Sequence, residues 1–294
     1  YMTYHQFVNE VEMKVKSCVA DNISVQIHVA IKNNSCERRG IMMAEKGINI
    51  SPTIYLEDYY KEFLQGESME QIARQILNRY EEVRFRESWE GSFIQSFDKV
   101  KSRIVYKVIN RERNERLLRE VPHRDVMDLA MVCYVLIRLQ NGQTATMLIK
   151  QEHLRLWRVT EKEVFEEAEK NVKRILPAKL SRMKDVLASM LEISVEEDDT
   201  EDLMYVMSNE EGSFGAACIF YEGVMDMIHD TIRENYYVIP SSVHEMIILP
   251  ESAAPQKKEI EETVSEINRT QVEDEEVLSD RVYYYNARSK QLMM

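Results

Sequence analysis

Phe7, Val8, Val11, Val15 and Val19 recur at three- and four-residue spacing, which puts them on one face of an opening helix over residues 3–19. Ile23, Val25, Ile27, Val29 and Ile31 then alternate with Ser24, Gln26, His28 and Ala30, the pattern of a half-buried strand. A polar turn at 33–40 leads into a second strand over 41–50. Ser51-Pro52 is expected to launch a helix from Thr53 to Gln65, with Gly66 at its end. Ser68 and Gln71 have the spacing of a capping box, so another helix is predicted from Met69 to about Arg86.

Further on, the pattern predicts a strand over 103–109, a charged helix over 110–120 and a long buried strand over 126–139. Asn141-Gly142, both tolerant of positive φ, predicts a hairpin returning through Thr144 to Ile149. A short helix ends near Trp157. Thr160 and Glu163 cap a longer one that runs to Ile175 and stops at Pro177. Strands are expected at 203–207 and 214–220 with a helix behind them at 223–234, then a strand over 238–249 broken by Pro240-Ser241-Ser242. Residues 250–258 read as a linker, followed by a helix to Asn268, an acidic turn at 273–276 and a last aromatic strand at 282–285 that joins a sheet formed earlier.

Three strand–turn–strand–helix units emerge, near 23–65, 126–157 and 203–234. Hairpins followed by helices imply antiparallel pairing, so the expected fold class is α+β: repeated antiparallel hairpin–helix units, with mixed or antiparallel sheets flanked by helices. The expected division is an N-terminal α+β region, 1–120, and a C-terminal hairpin–helix region with an acidic tail, 121–294. A single continuous domain remains the alternative.

Composition fits such a fold: 294 residues are 44% hydrophobic, with only 8 Gly and 6 Pro. Fifty-one acidic against 38 basic side chains give a net charge of −13, which disfavours a chain that coats nucleic acid or anionic membrane. The charge is lopsided, because residues 1–150 carry +2 and residues 151–294 carry −15. Its densest run, Glu196 to Asp202, reads as a solvated loop. Cys18, Cys36, Cys133 and Cys218 form no C-x-x-C pair and read as reduced thiols. The longest apolar run, Val126 to Ile137, contains Asp128 and is too short for a membrane span of about 20 residues. No secretory leader pattern opens the sequence, so the expected compartment is the cytoplasm, with no membrane partner.

The candidate chemistry lies in two turns. Ser241, Ser242, His244 and Glu245 contain the parts of a nucleophile, a base and an orienting carboxylate, although such sets normally assemble from distant segments. The plainer reading is a turn capped by the two hydroxyls. His244-Glu245 opens like a zinc-protease motif, but position 248 is Ile, and no metal site is expected. His123, between Pro122 and Arg124-Asp125, could serve an anionic ligand or simply belong to a locally paired turn. His153 could join His123 and His244 only in space. Lys99 to Arg124 holds nine basic side chains against Glu112, Glu115 and Glu120, a candidate phosphate-binding stripe or a solvated, internally paired helix. No glycine-rich phosphate loop is present, so no cofactor is expected. The 17 methionines and 15 tyrosines suggest an adaptable surface, though many sit at core spacing.

The phrases NISPTIYLEDYYKEFLQGESMEQIARQIL (49–77), VPHRDVMDLA (121–130), YYVIPSSVHEMIILP (236–250) and VEDEEVLSDRVYYYN (272–286) resemble an uncharacterised family, a domain of unknown function of Gram-positive gut bacteria. The resemblance implies a cytoplasmic bacterial protein and no activity that can be carried over. The expected function is that of a non-enzymatic interaction or regulatory protein with a protein partner. The alternatives are a hydrolase built on His123 and Ser241–Glu245, and nucleic-acid binding through Lys99–Arg124.

Overall fold

The computed structural model describes residues 2–138, 144–190 and 203–294. The chain forms two compact units, one of residues up to 32 with 36–92, the other of 33–35 with 93–294. The fold class is α+β, and every strand pairing among the described residues is antiparallel.

In the first unit, helix α1 (Tyr4–Cys18) opens on a capping box in which the Gln6 N–H donates to Thr3 Oγ1 and the Thr3 N–H to Gln6 Oε1. Its valine face buries Phe7, Val8, Val11 and Val15. Strand β1 (Ile23–Ile31) pairs with β2 (Glu37–Glu45), which starts earlier than its sequence suggests, and β2 pairs with β3 (Thr53–Tyr55). Thr53 to Tyr55 is therefore strand and not helix. A β-branched pair and an aromatic ring suit a sheet, and Ile54 lies opposite Ile41 in the core. Helix α2 (Glu57–Leu64) follows, then α3 (Met69–Val83) with its Ser68–Gln71 capping box. Phe7, Val11, Ile41, Leu56, Ile72 and Ile76 pack without solvent exposure.

The second unit holds two sheets. Short helix α4 (Phe97–Val100) precedes β4 (Ile104–Asn110), and the expected helix over 110–120 shrinks to a 3-10 turn and α5 (Glu115–Leu118). The long strand expected over 126–139 is two strands, β5 (His123–Val126) and β6 (Leu129–Arg138), folded back at Met127 and Asp128. Met127 takes φ 54°, a conformation that bulky residues seldom adopt. β6 is the spine of this sheet: β4 occupies one of its edges, while β5 and β7 (Thr144–Leu148) share the other. Asn141-Gly142, between β6 and β7, lies outside the described residues, as does the run Glu196–Asp202.

Helices α6 (Gln151–Trp157) and α7 (Glu161–Ile175) follow as expected. Pro177 ends α7, but the chain then forms β8 (Ala178–Arg182) and α8 (Met183–Met190), neither legible beforehand. β9 (Tyr205–Asn209) leads to residues 215–220, which are a 3-10 helix and not the expected strand, so the third hairpin–helix unit does not exist. After α9 (Val224–Ile232), β10 (Tyr236–Ser242) and β11 (Glu245–Pro250) make a hairpin. The expected linker at 250–258 instead holds a 3-10 turn and the start of α10 (Lys257–Thr270), with the same compact unit on both sides. β12 (Tyr283–Asn286) joins β10, as the aromatic pattern suggested, and β13 (Gln291–Met293) adds beyond it. The sheet order is β13-β12-β10-β11-β9-β8, which leaves β8 at one edge.

The connection from 273 to 281 has little regular structure, and side-chain amides satisfy its backbone. Asn34 Nδ2 donates to the carbonyls of Asp274 and Val277, Asn33 to Glu275, Asn110 to Leu278 and Asn268 to Ser279. Within it, Ser279 Oγ donates to Asp128 Oδ2 at 2.5 Å, and just beyond it Tyr283 Oη donates to Asp128 Oδ1 at 2.5 Å. Tyr283 and Tyr285 are buried on one face of β12, while Tyr284 on the other is half-buried.

Candidate functional site

Pro240 does not end β10. Pro240 and Ser241 form a bulge opposite Met246, a setting that accepts a residue without an N–H, and the strand breaks only at Val243-His244. That two-residue turn is pinned from several sides. The Val243 N–H donates to the Glu276 carbonyl, the Val243 carbonyl accepts from Ala216 N–H, and the His244 carbonyl accepts from Ser208 Oγ.

The imidazole of His244 is fully employed there. The Phe214 N–H donates to Nδ1 at 3.1 Å, Nε2 lies 3.4 Å from Glu276 Oε1, and the ring stacks on Phe214. Ser242 Oγ accepts from the His244 backbone N–H, and no hydrogen bond joins Ser241 or Ser242 to a histidine ring among the described residues. Burial, opposed by the neighbouring His244, holds the Glu245 carboxyl above its ordinary range. The four residues are neighbours without being aimed at one point.

His123 stands elsewhere, in an open polar cleft of about 660 Å³ lined by Arg111, Glu112, Glu115, Leu118, Arg119 and Asp125. Its Nδ1–H donates to the Val121 carbonyl at 2.8 Å, its Nε2 lies 3.8 Å from Asp125, and Arg111 bonds Asp125 at 3.2 Å. No lining residue offers a hydroxyl or thiol, and none comes from 241–245. The structure thus places the two halves of the hydrolase candidate in different surroundings. The two buried thiols offer no substitute: burial pushes Cys133 up and Cys218 up to about 11, which disfavours the reactive thiolate at both. Among the described residues no group of three or more His, Cys, Asp or Glu could hold a metal ion, and no helix is long and apolar enough to cross a membrane.

The basic stripe is dispersed in the fold. Lys101 pairs with Asp98, Arg111 with Asp125, and Arg124 with Glu169, while Arg103 and Arg124 also cover the rings of Phe93 and Phe165. His153 serves neither turn. It sits in the first turn of α6, where the Lys150 N–H donates to its Nδ1 at 2.9 Å and its ring stacks on Trp157.

Burial, the largest influence on His153, holds its pKa below the ordinary histidine value. The unfolded chain then takes up a proton more readily than the folded one. The stability is complete above about pH 6.5 and is lost as pH falls through the lower folded value. Chemical denaturation at stepped pH should show this acid slope, and His153→Gln, which keeps an acceptor without a titrating ring, should flatten it. An unchanged slope would mean that the histidine is not responsible.

A further groove was not among the sequence candidates. Leu180 of β8, Val186 and Met190 of α8, Tyr205 of β9 and Met227 of α9 line a groove of about 960 Å³. Of its lining residues, Met190 and Met227 are 75% and 37% exposed. The alternation Ala178-Lys179-Leu180-Ser181-Arg182 was the available signal for β8, but five residues directly after a helix-ending proline are short evidence.

The model of a family of unknown function, DUF5688, matches residues 4–287. No curated protein and no solved structure matches the chain.

Proposed function

Because the chain belongs to DUF5688, a family of unknown function, we propose its role from its own surface: it is a non-enzymatic interaction protein that binds a protein partner at the α8–β8–α9 groove. The observation that carries this reading is the pair of exposed methionines, Met190 and Met227, that line the groove with Leu180 and Val186. Methionines suit such a site because their unbranched, polarisable side chains adapt to a partner's shape. The occupied ring nitrogens of His244 support binding over hydrolysis. On the resemblance of its sequence phrases alone, we place the protein in the cytoplasm of a Gram-positive gut bacterium.

A photo-crosslinking residue at Met190 or at Met227 tests the reading in the cells from which the sequence comes. One discrete adduct is expected at both positions and none at exposed Lys258, and Met190→Glu with Met227→Glu should abolish the interaction while the fold persists. Equal labelling at all three positions, or a hydrolytic activity that Ser242→Ala removes, would count against it.

A further inference from the structure

The backbone of β8 says how that partner binds. The Met183 N–H donates to the Met204 carbonyl and the Glu210 N–H to the Pro177 carbonyl, in the same register that sets Lys179 opposite Ser208 and Ser181 opposite Val206. In an antiparallel ladder, residues that exchange hydrogen bonds alternate with residues that do not. Pro177, Lys179, Ser181 and Met183 therefore turn their backbone groups toward β9. Ala178, Leu180 and Arg182 turn theirs outward, from the last strand of the sheet, and carry no backbone hydrogen bond there among the described residues. Three consecutive outward-facing amide and carbonyl pairs form a template for another strand.

The side chains set the chemistry of that strand. Leu180 lines the groove beside Val186, Met190 and Met227, whereas Lys179 and Arg182 line it with no ion pair among the described residues. Every pairing in this sheet is antiparallel. In an added antiparallel strand, the residue opposite Arg182 is followed two places later by the one opposite Leu180 and three places later by the one opposite Lys179.

Resting on the interaction reading above, we infer that β8 accepts an extended segment of a partner protein as a seventh, antiparallel strand. The segment has the pattern acidic-x-apolar-acidic, its acidic side chains meeting Arg182 and Lys179 and its apolar one lying over Leu180. Backbone pairing supplies the affinity, and the two cations with the apolar groove supply the selection.

Proline scanning separates this from simple adhesion to the groove. Leu180→Pro removes an outward N–H, which an edge strand tolerates, whereas Lys179→Pro removes an N–H bonded to β9 and destabilises the sheet. The probe is the fluorescein-labelled peptide Thr-Glu-Thr-Val-Glu-Thr, read by anisotropy on the full chain. The wild-type chain should bind it saturably and should bind its counterpart with Lys in place of Glu more weakly. Leu180→Pro should bind about tenfold more weakly than Leu180→Ala, which loses the same side chain but keeps the N–H, a difference equivalent to one lost hydrogen bond, and the two should melt at the same temperature.

Binding that is equal in Leu180→Pro and Leu180→Ala but is lost in Met227→Glu overturns strand addition and leaves the groove reading intact. No binding of either peptide to the wild-type chain overturns the inference. So does sedimentation as a dimer that Leu180→Pro dissociates, since the occupant would then be a second copy. Failure of the crosslinking at Met190 and Met227, by contrast, would remove the interaction reading itself.

Discussion

Asp128→Ala is expected to destabilise the second unit by about 3 kcal/mol or more, since hydrogen bonds to a charged group are worth about 1.5–3 kcal/mol each and two are lost. Ser279 Oγ and Tyr283 Oη both donate to this carboxylate at 2.5 Å, and Ser279 and Tyr283 are 1% and 0% exposed. Alanine leaves two buried hydroxyls without an acceptor, the costly way to lose a hydrogen bond. It also loosens the tie between the β5–β6 turn and the start of β12. For a unit of this size, the melting temperature should fall by about 6–12 °C in a thermal melt. Asp128→Asn, which keeps one carbonyl acceptor, should fall less. A melting temperature for Asp128→Ala equal to that of the wild type would show that Ser279 and Tyr283 find other acceptors.

Gly215→Ala is expected to cost about 2–3 kcal/mol, the upper part of the range for overpacking a filled interior. A Cβ at this position would lie 2.2 Å from Ser208 Oγ, 2.6 Å from the Asn209 nitrogen and 2.7 Å from the His244 carbonyl oxygen. Ser208 can swing aside, but the other two are backbone atoms of β9 and of the β10–β11 turn. In urea denaturation the midpoint should fall with an unchanged slope. The double variant Ser208→Ala with Gly215→Ala should recover only part of the loss, because the backbone contacts remain. Full recovery would mean that the hydroxyl alone made the site tight.

The same residues show why part of this fold is hard to read. Residues 215–220, Gly-Ala-Ala-Cys-Ile-Phe, form a short apolar run that fits a buried strand as well as a helix. Only the surroundings decide. Gly215, Ala216, Ala217 and Cys218 are buried in a space that admits small side chains, and the chain tightens there into a 3-10 turn. The run from 126 to 139 hid a turn for a similar reason, since its only turn-forming residue is the single Asp128, set between apolar neighbours with no glycine, asparagine or proline beside it. Asp128 is held there by partners more than 150 residues away. By contrast α1, α3 and α7 were legible because their apolar spacing and capping boxes are local and agree with each other.

The candidate chemistry divides along the same line. Ser241 to Glu245 are close in sequence, which made them conspicuous, but Phe214 and Glu276, each about 30 residues away, decide where the His244 ring points. The groove had the opposite fate: its walls come from β8, α8, β9 and α9, and no single stretch announces it.

Amide hydrogen exchange along β8 tests the central claim most directly. In the free chain, Lys179 and Ser181 should be protected by β9 while Ala178, Leu180 and Arg182 exchange rapidly, and the acidic peptide should slow those three without changing the other two. If Leu180 and Arg182 are already as protected as Lys179 in the free chain, the edge is not open, and the account of how this protein binds its partner is wrong.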